Sequence, residues 1–300
     1  MRVTDRILQN TFLSNLNFSS ERLYDAETKV LTNKRINKPS DDPVDAVKSM
    51  NIRTRISEIE QYQRNISRTK TMLVQTESAT DELVQIFQRL STLTVQGASD
   101  NYSSTDKQTI AAEVNQLLEQ VVTIANNRSE TNYLFAGTDT DQQPYEIIRN
   151  ESGDIAEVRN AGTGGDITGV IGEKLTIKAN MNGETLFEQD ENLFDIVIDV
   201  RDHLQSNDTE SLQEDLNRIG NGSEQIYTAQ ASLGARLNRI SAAESRTEDD
   251  IISYTEFLSD TEDIDASQAI MDYQMELVTL QAALQAGARL FQPKLVDFLK

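Results

Sequence analysis

Three hundred residues are enough for two or three modest domains, but only 37% of them are hydrophobic and none is tryptophan, which favours helices packed around a thin seam. The net charge of −21 argues against nucleic acid as a partner, because phosphate binding needs a basic face. The lack of cysteine excludes disulfides, thiol catalysis and cysteine-ligated metal. No apolar run approaches the roughly 20 residues of a membrane helix, so membrane insertion is not expected. The N-terminus carries no basic region followed by an apolar block and a cleavage site, so a cleavable signal is not expected either.

The charge is unevenly distributed along the chain. Residues 1–40 carry +3 and residues 266–300 carry zero, which leaves −24 for the middle. Because like charges repel when they are packed closely, the near-neutral ends are suited to crowding and the acidic middle to solvent.

The first helix is predicted from an apolar repeat of seven residues. Leu16, Leu23 and Val30 form the repeat, Phe12 and Ala26 lie beside it, and Ser19 is a polar interruption. Such a repeat holds one stripe of a helix against partner helices. The helix is predicted to end near residues 32–33.

The segment after this helix contains two prolines that break helical structure, Pro39 and Pro43. Asp42 is the predicted N-cap of the next helix, with Pro43 at its first position. Asp41 is placed at the same helix start, where the helix dipole favours negative charge. We predict that Pro39, Asp41, Asp42 and Pro43 form a structural joint at which the chain changes direction.

The middle of the chain is predicted to run out along helices and to return. No Gly or Pro interrupts residues 44–96, which predicts a helix of about 80 Å at roughly 1.5 Å per residue. A second helix is predicted to begin with a capping box of Thr105 and Gln108. Seven of the thirteen glycines fall within residues 145–187 among short alternating runs, which predicts strands. Helix is predicted again at 193–198 and at 209–259.

Apolar seams with sevenfold spacing are predicted on both long helices. They comprise Ile52, Ile59, Ile66 and Leu73 on the outgoing helix, and Ile226, Leu233 and Ile240 on the returning one.

The last helix is predicted to begin after Asp265, which forms a capping-box pattern with Gln268. Between residues 271 and 290 it carries only three charges, so it needs a helical partner from this chain or from other copies. Every seventh residue is apolar, namely Ile270, Leu277, Leu284, Phe291 and Phe298, and Tyr273 and Leu280 fill part of a second stripe. This set and the stripe of the first helix form the predicted assembly seam.

These elements predict a mainly α fold: an elongated helical rod with terminal coiled-coil helices and a small β-rich inserted domain. The predicted parts are terminal helices at 1–40 with 264–300, a rod at 41–140 with 205–263, and an outer insert at 141–204.

Several stretches imitate functional motifs but depart from them. Residues 139–150 have proline and asparagine where a calcium loop needs glycine and glutamate. Residues 162–167 lack the third glycine of a dinucleotide-binding loop. His203 is the only histidine and is interpreted as a helix-surface residue. The sequence therefore predicts no catalytic site, no cofactor and no metal.

Five stretches, in their order along the chain, resemble the flagellin superfamily: residues 1–4, 36–44, 133–137, 231–238 and 263–265. Pro43 and Val44 after the paired aspartates are more similar to the hook–filament junction members than to filament flagellins, which tend to carry alanines there.

The resemblance implies a structural protein of the bacterial flagellum that is secreted through the growing axis, without enzyme activity. It further implies assembly as a ring between hook and filament. The implied partners are other copies in the ring, a neighbouring hook-associated protein, filament flagellin, the export apparatus and an export chaperone. A filament flagellin and a soluble coiled-coil scaffold remain as alternatives, and an enzyme is the least favoured class.

Overall fold

The computed structural model describes residues 2–99, 101–129, 132–151 and 153–290, with side chains from residue 6 to residue 289 within those ranges. The helices are α1 (Arg2–Thr32), α2 (Pro43–Gly97), α3 (Ser104–Ala125), α4 (Gly183–Phe187), α5 (Leu193–Ser206), α6 (Thr209–Glu262) and α7 (Ala266–Leu290). The strands are β1 (Arg128–Ser129), β2 (Asn132–Tyr133), β3 (Tyr145–Arg149), β4 (Ile155–Asn160), β5 (Thr168–Gly172) and β6 (Leu175–Lys178). The strands form three separate antiparallel pairs, β1–β2, β3–β4 and β5–β6. The predicted mainly α fold with a small β-rich insert is confirmed.

The chain divides into two compact units, which we call the terminal unit and the central unit. The terminal unit comprises residues 1–58 and 249–300, and the central unit comprises residues 59–248. Helices α2 and α6 contribute residues to both. The three-part division at 1–40, 141–204 and 264–300 stays a prediction.

The central unit is built around the apolar repeats of the two long helices. Ile59, Ile66 and Leu73 on α2 are at most 2% exposed, and Ile226 and Leu233 on α6 are fully buried. The repeats identify these faces because a seven-residue spacing keeps side chains on one side of a helix. Four aromatic rings pack against one another beside this core, with centroids 4.9–5.3 Å apart: Phe135, Tyr145, Phe187 and Phe194.

Helix α3 begins earlier than its sequence suggested. The predicted capping box of Thr105 and Gln108 is wrong, because the helix starts at Ser104 and its N-cap is Ser103. The Ser103 hydroxyl accepts a hydrogen bond from Asp106 N, and the Asp106 carboxylate accepts one from Ser103 N. The same box therefore forms two residues upstream, because Ser103 adopts the extended backbone that a cap requires.

Candidate assembly surface

The two terminal helices, α1 and α7, pack side by side in opposite directions. Phe12 meets Gly287, Arg22 meets Glu276, and Lys34 bridges Asp263, so the contacts descend along α7 as they ascend along α1. A Cβ atom at position 287 would lie 2.1 Å from Cζ of Phe12. Glycine is therefore required there for the phenyl ring to occupy this position.

The predicted stripe of α1 lies on its inner side. Leu16, Leu23 and Val30 are half-buried, as are Phe12 and Ala26. With the buried Ser19 included, the spacing along this stripe alternates between four and three residues, which is the coiled-coil pattern of a helix that contacts one neighbour. In the isolated chain that neighbour is α7.

The stripe of α7 that faces α1 is displaced by one residue from the predicted seam. Its members are Leu280 and five small or polar residues, all buried or half-buried: Ala269, Tyr273, Glu276, Ala283 and Gly287. Ile270 and Leu284 are 47% and 50% exposed, and Leu277 is half-buried at the edge of the stripe. Phe291 and Phe298 lie outside the described residues. The assignment of these five residues to an assembly seam stays a prediction.

The outer face of α7 exposes large apolar side chains among glutamines and alanines. Met271, Met275 and Val278 are each more than half exposed, and they follow the spacing of one helix face. The acidic residues of this stretch, Asp272 and Glu276, line a groove against α1, and Met275 at the edge of the outer face lines it as well. Helix α1 also carries exposed apolar side chains, which include Ile7, Leu8, Leu13 and Phe18. A concentration of exposed large apolar side chains on two paired helices is typical of an interaction site.

The contact between α1 and α7 contains polar groups without hydrogen-bond partners. Among the described residues, neither the buried Ser19 Oγ nor the buried Glu276 Oε2 has one. Glu276 Oε2 lies 3.4 Å from Arg22 Nη2, which is an ion pair without good hydrogen-bond geometry. Because an unpaired buried polar atom is costly, the α1–α7 pair is less stable than its apolar residues alone suggest.

The predicted joint contains the expected cap and a turn that the sequence did not reveal. Asp42 Oδ1 accepts hydrogen bonds from Val44 N and Asp45 N, both at 3.1 Å, and Pro43 is the first residue of α2. Asp41 Oδ2 accepts from Asn37 N and Lys38 N at 3.0 and 2.9 Å. Asp41 therefore closes the turn around Pro39 one residue before the N-cap, and its part in the joint stays a prediction.

These hydrogen bonds determine the acidity of the two aspartates. The donation from Lys38 N, then that from Asn37 N, lowers the pKa of Asp41. The donation from Asp45 N is the main cause that lowers the pKa of Asp42. Both groups are therefore carboxylates that stabilise backbone geometry, as capping groups do.

Glu262, the last residue of α6, binds residues on both sides of the joint, Lys34 before it and Arg53 after it, and was missed from the sequence. Its Oε2 lies 2.8 Å from Lys34 Nζ and 2.5 Å from Arg53 Nη2, and its Oε1 lies 2.9 Å from Arg53 Nε. The residue is only 4% exposed. Hydrogen bonds from Arg53 first, and from Lys34, lower its pKa to about 2. No local pattern signals this cluster, since Arg53 and Glu262 are 209 residues apart.

A second set of contacts joins the same segments. Arg35 N donates to Glu262 O at 2.6 Å, and Arg35 Nη2 donates to Thr261 O at 3.0 Å and to Asp45 at 2.6 Å. Ile264 N donates to Asn33 O at 3.4 Å. The linker of residues 33–42 is thereby connected to the end of α6 and to the linker of residues 263–265.

Within the described ranges, no group of three or more His, Cys, Asp or Glu could hold a metal ion, and no helix combines the length and apolarity needed to cross a membrane. His203 is half-buried, and its Nδ1 lies 2.7 Å from Asp215 Oδ2. Its interpretation as a plain surface residue was therefore incomplete. Burial raises the pKa of Asp215.

Comparisons with known proteins agree with this organisation. Residues 3–140 match the family described as bacterial flagellin N-terminal helical region. The flagellar hook-associated protein 3 of Escherichia coli K12 is 24% identical, with 92% of this chain and 99% of that protein covered. A flagellin of Clostridium tyrobutyricum is 32% identical over 126 residues, 42% of this chain, but the match spans only 33% of the flagellin. A solved structure of a flagellar hook-associated protein from Vibrio parahaemolyticus shares the fold, with a TM-score of 0.66, 19% identity, and coverage of 74% of this chain and 100% of that one.

Proposed function

The chain belongs to the flagellin superfamily, and from that premise we propose that it is a structural protein of the bacterial flagellum that forms the junction layer between hook and filament. The similarity to a hook-associated protein extends over nearly the whole of both chains, whereas the similarity to flagellin is partial. That difference supports the junction protein over a filament subunit.

The observation that carries the assembly mechanism is the uncovered apolar face of α7. Five side chains on this helix are about half exposed or more: Ile270, Met271, Met275, Val278 and Leu284. Covering the exposed half of each would contribute about 1 kcal/mol, since complete burial contributes about 1.5–3 kcal/mol. The sum of about 5 kcal/mol per contact is close to the lower end of the cost of association, roughly 4–15 kcal/mol.

This comparison favours a closed ring over an isolated dimer. A dimer makes one such contact, which barely offsets its association cost. In a ring every copy contacts two neighbours, so the last subunit forms two contacts for one association step. We therefore propose that the terminal helices associate side by side in a ring, and that the acidic middle of the chain faces solvent.

The remaining partners follow from the same proposal. A junction layer has one face toward a neighbouring hook-associated protein and one face toward filament flagellin. A subunit at that position is secreted, so the export apparatus and an export chaperone are proposed partners. Its proposed location is the flagellum, between hook and filament.

Immunogold labelling of isolated hook–basal bodies tests the function. The proposal expects gold at a single band at the distal end of each hook. Label along the whole filament would instead indicate a filament flagellin, and label absent from flagella would indicate a soluble scaffold. A strain that lacks the gene for this chain is the control, and it is expected to shed its filaments.

A further inference from the structure

The α1–α7 pair is connected to the rest of the terminal unit by two short linkers, residues 33–42 and 263–265. The backbone bonds between the linker regions are two, Arg35 N to Glu262 O and Ile264 N to Asn33 O, which together form the isolated antiparallel bridge between Lys34 and Asp263. A few residues at the ends of elements, with little backbone pairing, are the usual composition of a hinge. The backbone alone therefore permits the pair to change direction.

Two side chains connect the three segments that meet at this hinge: Arg35, through Thr261 O and Asp45, and Glu262, which is much the more buried of the two. Glu262 ends α6, Lys34 belongs to the first linker, and Arg53 belongs to α2. Both carboxylate oxygens bind Arg53 in a two-point arrangement, and one of them also binds Lys34. Charge-assisted, two-point pairs of this kind are the strongest and the most directional hydrogen bonds of proteins. The cluster therefore opposes rotation as well as separation.

The cluster is separate from the contacts that keep the two terminal helices paired. Those contacts are Phe12 against Gly287, the half-buried leucines of α1, and Ala269 and Ala283 of α7. None of them involves Glu262. The side chains of Lys34 and Arg53 are 35% and 50% exposed, against 6% for that of Glu262. When Glu262 loses its charge, both cations remain partly hydrated, so the joint can open without the penalty of a buried unpaired cation.

We propose that Glu262 is a positioning residue that latches the hinge formed by the two linkers. It holds the α1–α7 pair in one direction relative to the first turns of α2 and the last turns of α6. Without its charge only the more exposed Arg35 contacts remain, so the pair stays helical but takes a wider range of directions. This deepens the proposed function, on which its consequence rests, because the direction of the pair determines which neighbour its apolar face can reach.

Distance measurements within one chain test the latch. The sequence has no cysteine, so Asn15→Cys on α1 and Ser253→Cys on α6, both exposed positions, can carry a pair of nitroxide spin labels. Electron paramagnetic resonance of the labelled chain, diluted with unlabelled chain, reports distances inside single copies. The parent chain is expected to show one narrow distance peak. Glu262→Gln is expected to replace it by a broad distribution, with no loss of helix by circular dichroism.

A matched control separates the latch from a general loss of charge. Glu58→Gln removes the same charge from an exposed ion pair with Arg55 on α2 and is expected to leave the narrow peak in place. Arg53→Lys keeps the charge but loses the two-point geometry, and it is expected to give a distribution of intermediate width.

An unchanged narrow peak in Glu262→Gln would overturn the proposal. A loss of helix content in that variant would also overturn it, because Glu262 would then support the folding of the terminal helices. The measurement uses the isolated chain, whereas the junction function is tested by immunogold labelling, so failure of one is distinguishable from failure of the other.

Discussion

The contact between Phe12 and Gly287 provides a test of how α1 and α7 pair. In an ordinary helix, Gly→Ala stabilises by about 0.5–1 kcal/mol, because alanine loses less conformational freedom on folding. At position 287 the added Cβ would lie 2.1 Å from Phe12 Cζ, so the ring must move out of its place. Overpacking of this kind costs about 1–3 kcal/mol. The clash outweighs the propensity gain, and we expect Gly287→Ala to destabilise the pair by up to about 2 kcal/mol.

Position 234 supplies the matched control for this substitution. Gly234 also lies inside a helix, α6, but a Cβ there would meet no atom within 4 Å. Gly234→Ala is therefore expected to stabilise the central unit by about 0.5–1 kcal/mol, which urea unfolding measures.

Hydrogen–deuterium exchange of peptides from residues 266–290 measures the effect at position 287. Faster exchange is expected in Gly287→Ala, and the double variant with Phe12→Leu is expected to restore protection because the shorter side chain leaves room for the methyl group. If Gly287→Ala alone slowed exchange, the propensity gain would dominate, and the proposed packing of Phe12 on Gly287 would be refuted.

Three further predictions concern the seam and the joint. Leu284→Asp is expected to abolish incorporation into flagella while the isolated chain keeps its helix content, because Leu284 is half exposed before assembly and a buried unpaired carboxylate costs several kcal/mol; normal motility would contradict this. Asp42→Asn keeps a capping oxygen and is expected to be nearly silent, whereas Asp42→Ala with Pro43→Gly is expected to destabilise the start of α2 by about 0.5–2 kcal/mol; equal damage in swarming assays would show that the carboxylate charge itself matters. The folded pKa of Glu262 is depressed to about 2 from an ordinary 4.5, so its contribution to stability is complete above about pH 4.5 and is lost as the pH falls toward 2. The pH dependence of unfolding in that window is expected to be weaker in Glu262→Gln, and identical profiles would exclude the ion cluster as its source.

Local patterns in the sequence were sufficient to identify the long helices, their buried faces in the central unit and the cap at Asp42, whereas the short helix α4 was missed. Ile59, Ile66 and Leu73 were predicted as one seam, and they are buried. The cap at Asp42 was predicted from the following proline, and its hydrogen bonds are present. Such features depend on residues within one or two helical turns of each other. A short stretch of sequence is therefore sufficient to predict a seam or a cap.

The inner stripe of α7 could not be chosen from its own sequence. Apolar residues occur on most sides of this helix. Ile270 and Leu284 have the same sevenfold spacing as Ala269 and Ala283, so the spacing alone does not identify which set is buried. Large side chains on α1, above all Phe12, need small partners at close range, and this requirement turns Ala269, Ala283 and Gly287 inward. The difference is one residue, about 100° around a helix, and only the packing of the two helices decides it.

The Glu262 cluster shows the same limit for charged groups. Its members Lys34, Arg53 and Glu262 are each ordinary charged residues of helical or turn-rich stretches, and nothing near them in the sequence distinguishes them from their neighbours. They become a cluster because the chain returns along α6 and places the end of that helix beside the first linker. The sequence alone determined the long helices and the main cap; the tertiary structure decided which side chains meet, because contacts between distant segments depend on the path of the whole chain.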